Sequence, residues 1–135
     1  MPPKALNHVA IVVENLDAAL AFWRDALGLP LEQTEHNPDE AVRIAFLPLG
    51  DSEIELLEPT TEDSGIARYL ARRGPGMHHL CIEVDDIEAA LGRLRQHGAE
   101  LINETPKTRP DGTRYAFIHP RSAGGVLVEL YEIAP

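Results

Sequence analysis

Cys81 is the only cysteine in this 135-residue chain, so no internal disulfide can staple it. No apolar run approaches the roughly 20 residues that a membrane-spanning helix needs. The N-terminus has no basic segment leading into an apolar stretch, so no secretory signal is expected there. Cations are scarce too: 12 Lys and Arg stand against 22 Asp and Glu, for a net charge of −10. That balance argues against nucleic-acid binding, which runs on clustered cations neutralising phosphates. It leaves room for an anionic small molecule, which a few local cations can hold. These absences predict a cytoplasmic protein, or one imported with its leader removed, with no nucleic-acid or membrane partner. What is present suits one globular domain: 44% hydrophobic and 25% charged residues, in a chain long enough to build its own core.

The chain is organised by an internal repeat. His8-Val9-Ala10-Ile11-Val12-Val13 leads into Asn15-Leu16-Asp17-Ala18-Ala19-Leu20. At a constant offset of 71, His79-Leu80-Cys81-Ile82-Glu83-Val84 leads into Asp86-Ile87-Glu88-Ala89-Ala90-Leu91. Further on, Ile54-Glu55-Leu56-Leu57-Glu58 matches Val128-Glu129-Leu130-Tyr131-Glu132 at an offset of 74. Each copy predicts a strand, a helix and three strands. In the first copy the strands fall near 8–13, 31–36, 42–48 and 53–58. Its helix starts at the N-cap Asn15, carries Leu16, Leu20, Trp23 and Leu27 on one face, and stops at Gly28. The second copy predicts strands near 78–84, 99–103, 113–118 and 126–132 with a helix over 87–96. Between them Ser64 caps a linker helix over 64–73, with Ile66, Tyr69 and Leu70 on its apolar face. The expected architecture is α+β: two tandem βαβββ modules, about 5–59 and 76–135, joined through 60–75 into a single domain.

Each copy carries a histidine on its first strand and a glutamate on its last. His8 and His79 occupy equivalent places, and so do Glu55 and Glu129. Alternation along a strand puts His79 on one face with Cys81 and Glu83, and His8 with Ala10 and Val12. Glu55 sits between Ile54 and Leu56, and Glu129 between Val128 and Leu130; a carboxylate in such a strand is costly to desolvate unless paired or bound to a metal. Imidazole nitrogen with carboxylate oxygen suits Mn, Fe, Co, Ni or Zn. Taken singly, a strand histidine is usually a hydrogen-bonded structural residue and a lone glutamate usually faces water. The repeat makes the four a set.

Other residues are weighed against that set. His78 competes with His79 as a ligand, but offset and parity favour His79. Glu58 and Glu132 match each other, lie three residues beyond the candidate ligands, and are expected on the opposite face as surface carboxylates. His36 and His97 are expected in solvent near turns. His119, in the loop before the last strand, is a candidate border of a substrate pocket. Cys81 either lines the cavity or is a buried apolar-like thiol.

Glu53-Ile54-Glu55-Leu56-Leu57-Glu58-Pro59, Gly76-Met77-His78-His79-Leu80 followed by Val84-Asp85-Asp86-Ile87, and His119-Pro120-Arg121-Ser122 leading into Gly125-Val126-Leu127 carry a resemblance. Over nearly its whole length the chain resembles the vicinal oxygen chelate superfamily (glyoxalases, bleomycin resistance proteins, dioxygenases), most closely the methylmalonyl-CoA epimerase family. The resemblance implies paired βαβββ modules packed into one curved mixed sheet around one divalent metal ion. His8, Glu55, His79 and Glu129 would hold it, with Co2+ preferred and Mn2+, Ni2+ or Zn2+ as alternatives. It also implies a homodimer and an acyl-CoA substrate whose 2R and 2S forms interconvert by proton transfer at C2 through a metal-stabilised enolate. Glu129 and Glu55, from opposite modules, are then the acid–base pair.

One position departs from the family pattern. Several epimerases place glutamine at the Glu55 position and a separate catalytic glutamate on the third strand, where this chain has Ile44 between Arg43 and Ala45. Either Glu55 takes the base role or another group such as Glu40 serves. Arg72, Arg73, Lys107, Arg109, Arg114 and Arg121 are candidates for the coenzyme A phosphates, each equally readable as a solvated surface charge. The same four ligands suit a glyoxalase I-type lyase, and the fold suits a non-catalytic small-molecule-binding resistance protein. Such binders often lose the metal residues, and this chain keeps all four.

Overall fold

A computed structural model describes residues 2–135 as two compact units, His8–His78 and residues 2–7 together with His79–Pro135. In chain order the elements are β1 (Ala5–Val12), α1 (Leu16–Leu20) running into a π-helical turn (Ala21–Ala26), β2 (Gln33–Asn37), β3 (Val42–Leu49), β4 (Ser52–Pro59) and α2 (Gly65–Arg73). Then follow β5 (Gly76–Glu83), α3 (Ile87–Gln96), β6 (Lys107–Thr108), β7 (Arg114–Ile118), a 3-10 turn (Pro120–Ala123) and β8 (Val128–Glu132). Among the described residues, no helix is long and apolar enough to cross a membrane.

In the first unit β2–β3–β4 form an antiparallel meander, and β1 lies parallel to β4 with Ala10 opposite Glu55. One face packs Ala45, Leu47, Leu56 and Val13 against Leu16 and Leu20 of α1. The other buries Ala10, Val12, Val42, Ile44 and Leu57 beneath Ile66, Tyr69 and Leu70 of α2. The second unit repeats the plan. β6–β7–β8 are antiparallel, β5 lies parallel to β8 with Cys81 opposite Glu129, and Ile87 and Leu91 of α3 pack on Leu101, Ala116, Ile118 and Leu130.

α1, α2 and α3 each begin at a side-chain cap. Asn15 Oδ1 accepts from the Ala18 amide at 2.8 Å, Ser64 Oγ from Ala67 at 3.0 Å and Asp86 Oδ1 from Ala89 at 3.1 Å. A second anchor joins helix to sheet in both units. Glu58 Oε2 accepts from the Leu16 amide at 3.1 Å while Arg43 holds its other oxygen at 3.0 Å. Likewise Glu132 Oε2 accepts from the Ile87 amide at 2.8 Å, with Arg114 at 3.7 Å. The expectation of surface carboxylates is thus corrected: both do leave the histidine-bearing face, but they fill the electropositive first turns of α1 and α3.

Two further expectations need revision. The helix from Asn15 does not continue in α form to Leu27, because the Leu27 amide donates to Phe22 O, five residues back, at 2.8 Å. That wider turn rotates the apolar stripe, so Leu27 and Phe22 are more than half exposed while Trp23 still reaches the core. The segment 99–103 is no strand but an isolated bridge, Leu101 to Ile118. Asn103 Oδ1 takes the Phe117 amide at 2.8 Å, replacing the backbone acceptor a ladder would supply, and the outer strand forms later at Lys107–Thr108.

Removing the anchor tests its weight. Glu132→Ala should lower stability by about 1 kcal/mol, in the range of a lost helix cap. Glu132→Gln, which keeps an acceptor, should lose less than half of that. Urea unfolding followed by far-UV circular dichroism reads both, and equal losses would assign the effect to charge alone.

Candidate metal centre

The parallel pairing in the first unit sets His8 beside Glu55. Ala10 is the Cα partner of Glu55, and His8, two residues earlier on β1, points to the same face. His8 Nδ1 lies 3.1 Å from Glu55 Oε2, with side-chain exposures of 1% and 12%. In the second unit Cys81 is the partner of Glu129, and His79 again precedes by two. There His79 Nε2 lies 3.2 Å from Glu129 Oε1, with exposures of 9% and 2%. Antiparallel neighbours repeat as well: Phe46 lies opposite Glu55 and Phe117 opposite Glu129. The His79 ring meets Phe117 edge-on, centroids 5.6 Å apart.

Each unit therefore holds one buried imidazole–carboxylate pair at the same register. The set offers nitrogen and oxygen donors suited to a borderline divalent cation, and His8, His79 and Glu129 are all of metal-ligating type and buried. Taking a carboxylate out of water costs several kcal/mol unless opposite charge and hydrogen bonds offset it. The donor chemistry thus fits a divalent ion.

Glu53 shares the Glu55 face of β4. Burial pushes its carboxyl above the usual range, the charge of Glu32 adds to that, and a hydrogen bond with Glu55 opposes it. Ile44, at the position where the family resemblance places a base, is a buried apolar side chain of the same face. Its partner on the edge strand is Glu35, and Glu40 sits exposed in the β2–β3 turn. Cys81 is a fully buried thiol. His36 and His97 are exposed, as expected. His119 caps the 3-10 turn, its Nδ1 accepting from the Arg121 amide at 3.0 Å, a structural role that its loop position concealed.

The six candidate cations part company. Arg114 pairs with Glu88 and Glu132, Arg121 with Glu100, and Arg73 lies over the Tyr69 ring. Arg72 and Lys107 are exposed. Arg109 turns inward: Nη2 is 3.5 Å from Glu129 Oε2, and the guanidinium lies 4.3 Å from the centroid of Tyr115 and 5.5 Å from that of Tyr131. From the sequence, Arg109 is readable either as a coenzyme A phosphate contact or as a solvated surface charge. The missed signal is that Tyr115 and Tyr131 share strand parity with Phe117 and Glu129.

A family model for the Glyoxalase/Bleomycin resistance protein/Dioxygenase superfamily matches residues 7–117. The chain is 42% identical over 126 residues to the human mitochondrial methylmalonyl-CoA epimerase, covering 93% of this chain and 72% of that one. It is also 42% identical over 130 residues to an ethylmalonyl-CoA/methylmalonyl-CoA epimerase of Cereibacter sphaeroides, covering 95% and 97%. Among solved structures, the Mycobacterium tuberculosis methylmalonyl-CoA epimerase matches with a TM-score of 0.87 and 41% identity over 98% of this chain and 90% of that one. A methylmalonyl-CoA epimerase in complex with methylmalonyl-CoA and NH4+ matches with a TM-score of 0.84 and 34% identity over 96% and 94%.

The raised Glu53 carboxyl gives a pH signature. A carboxyl that binds its proton more tightly folded than unfolded weakens the fold as pH rises from the ordinary value near about 4.3 through the raised one. Glu53→Gln should therefore stabilise the metal-free protein at neutral pH, with the gain vanishing at about pH 4 and below. Thermal unfolding at the two pH values checks this, and an equal gain at both would contradict it.

Proposed function

This chain belongs to the Glyoxalase/Bleomycin resistance protein/Dioxygenase superfamily and has the vicinal oxygen chelate fold of paired βαβββ modules, and from that premise we propose that it is an enzyme interconverting (2R)- and (2S)-methylmalonyl-CoA. The observation that carries the reading is the buried His–Glu pair recurring at one register in both units. His8, Glu55, His79 and Glu129 together would hold one divalent ion, the two units working as a single domain. When bound, the ion supplies positive charge against the negative charge that develops on the thioester oxygen as the C2 proton leaves.

The chain's own residues do the rest. The C2 proton lies between a thioester and a carboxylate and is acidic enough for a positioned side chain to remove. Inversion needs one group to take that proton from one face and another to return a proton on the opposite face. Glu55 and Glu129, one from each unit, serve as that pair. Ile44 gives this chain no carboxylate on β3, so the proton transfer assigned there in related epimerases falls to Glu55. Burial of both glutamates shields the exchanged proton from bulk water. The family likeness extends the proposal to Co2+ as the ion, a homodimer and a cytoplasmic location.

Proton NMR of methylmalonyl-CoA in D2O with metal-loaded protein tests the chemistry through loss of the C2 proton signal. Exchange should stop with chelator and with a folded His79→Ala variant. Glu55→Gln should keep metal binding and lose about 100-fold or more in exchange, the scale of a missing acid–base group. Full exchange by Glu55→Gln would take the base role away from Glu55. Absence of exchange with every suitable divalent ion would remove the substrate.

A further inference from the structure

We propose that Arg109 is a positioning residue for Glu129, deciding which carboxylate oxygen faces His79 and the divalent ion. The inference rests on the reading of Glu129 as a ligand. Glu129 is 2% exposed on its side chain, and its two oxygens face different neighbours: Oε1 lies 3.2 Å from His79 Nε2, and Oε2 lies at ion-pair distance, 3.5 Å, from Arg109 Nη2. With the guanidinium on the Oε2 side, Oε1 is the oxygen that meets the imidazole.

Arg109 is itself held from two directions. Tyr115 and Tyr131 are direct cross-strand partners on β7 and β8, and the guanidinium lies against both rings. Such stacking suits a planar, weakly hydrated cation and not a lysine ammonium. The backbone is fixed as well. The Arg109 amide donates to Thr113 O at 2.8 Å, Gly112 donates back to Arg109 O at 2.9 Å, and Asp111 Oδ1 accepts from the Thr113 amide at 2.9 Å. Gly112 takes a φ of +92°, and a Cβ there would meet Ala134 at 3.2 Å, so the turn that places Arg109 requires glycine. Groups that orient a metal ligand from behind commonly govern affinity by about 10–100-fold.

The test uses metal-free full chain titrated with Co2+ or Mn2+ in a calorimeter, without substrate. Arg109→Met should weaken binding by about 10–100-fold and alter the visible spectrum of the cobalt form. Arg109→Lys should recover part of the loss, because charge returns without the planar stack. Arg121→Met, which removes a surface pair with Glu100, should bind as wild type. With the thioester substrate, kcat should fall more than KM rises. If Arg109→Met proves unstable, Tyr115→Leu keeps both charged groups and removes one ring, and should weaken the ion several-fold. A folded Arg109→Met or Tyr115→Leu protein with wild-type affinity and cobalt spectrum overturns the proposal. The two readings fail separately: a wild-type chain that binds the ion but exchanges no C2 proton loses the substrate assignment and leaves the Arg109 result standing.

Discussion

A glutamate placed mid-strand among valines and leucines must find a partner or leave the core, because an isolated carboxylate loses several kcal/mol of hydration there. In each unit a histidine meets that demand from the neighbouring parallel strand. The pairing works only if the first and last strands of the module run side by side and in one register. A slip of a single residue would turn the histidine to the other face. The requirement explains why the repeat preserves strand order as well as residue type. It also explains why small or apolar residues, Ala10 in one unit and Cys81 in the other, stand opposite the glutamates.

The opposite face of each sheet solves a second problem, how to seat a helix of five or ten residues against strands. Apolar burial does most of it through Leu16 and Leu20, or Ile87 and Leu91. Direction comes from the paired Arg–Glu anchor, which brings a carboxylate from the last strand to the helix's first amide. One strand thereby sends a glutamate to each side, three residues apart. The first meets the histidine of the neighbouring strand and the second fixes the helix. Glu55 with Glu58 and Glu129 with Glu132 divide these tasks identically.

Much of this was legible in the residues. The constant offset exposed the modules, strand alternation chose His79 over His78, and Asn15 and Ser64 announced helix starts that the structure bears out. What stayed hidden depends on three-dimensional partners. Glu58 and Glu132 look like surface charges until the helix ends arrive. Leu27 fits a helical stripe until a π turn rotates it outward. Leu101 and Ile102 read as a strand until Asn103 takes over the amide that would extend the ladder. Arg109 is one of four basic residues between 107 and 121, and only the two tyrosines across the β7–β8 pair mark it out.

The central claim is that two like pairs from two like modules act on one ion. Metal analysis of dialysed protein loaded with Co2+, for the wild type and for His8→Ala and His79→Ala, tests it most directly. The account predicts one ion per chain in the wild type, and loss of tight binding in either single variant, because neither pair alone supplies enough ligands. Two ions per chain, or an ion held at full affinity after either histidine is removed, would contradict it.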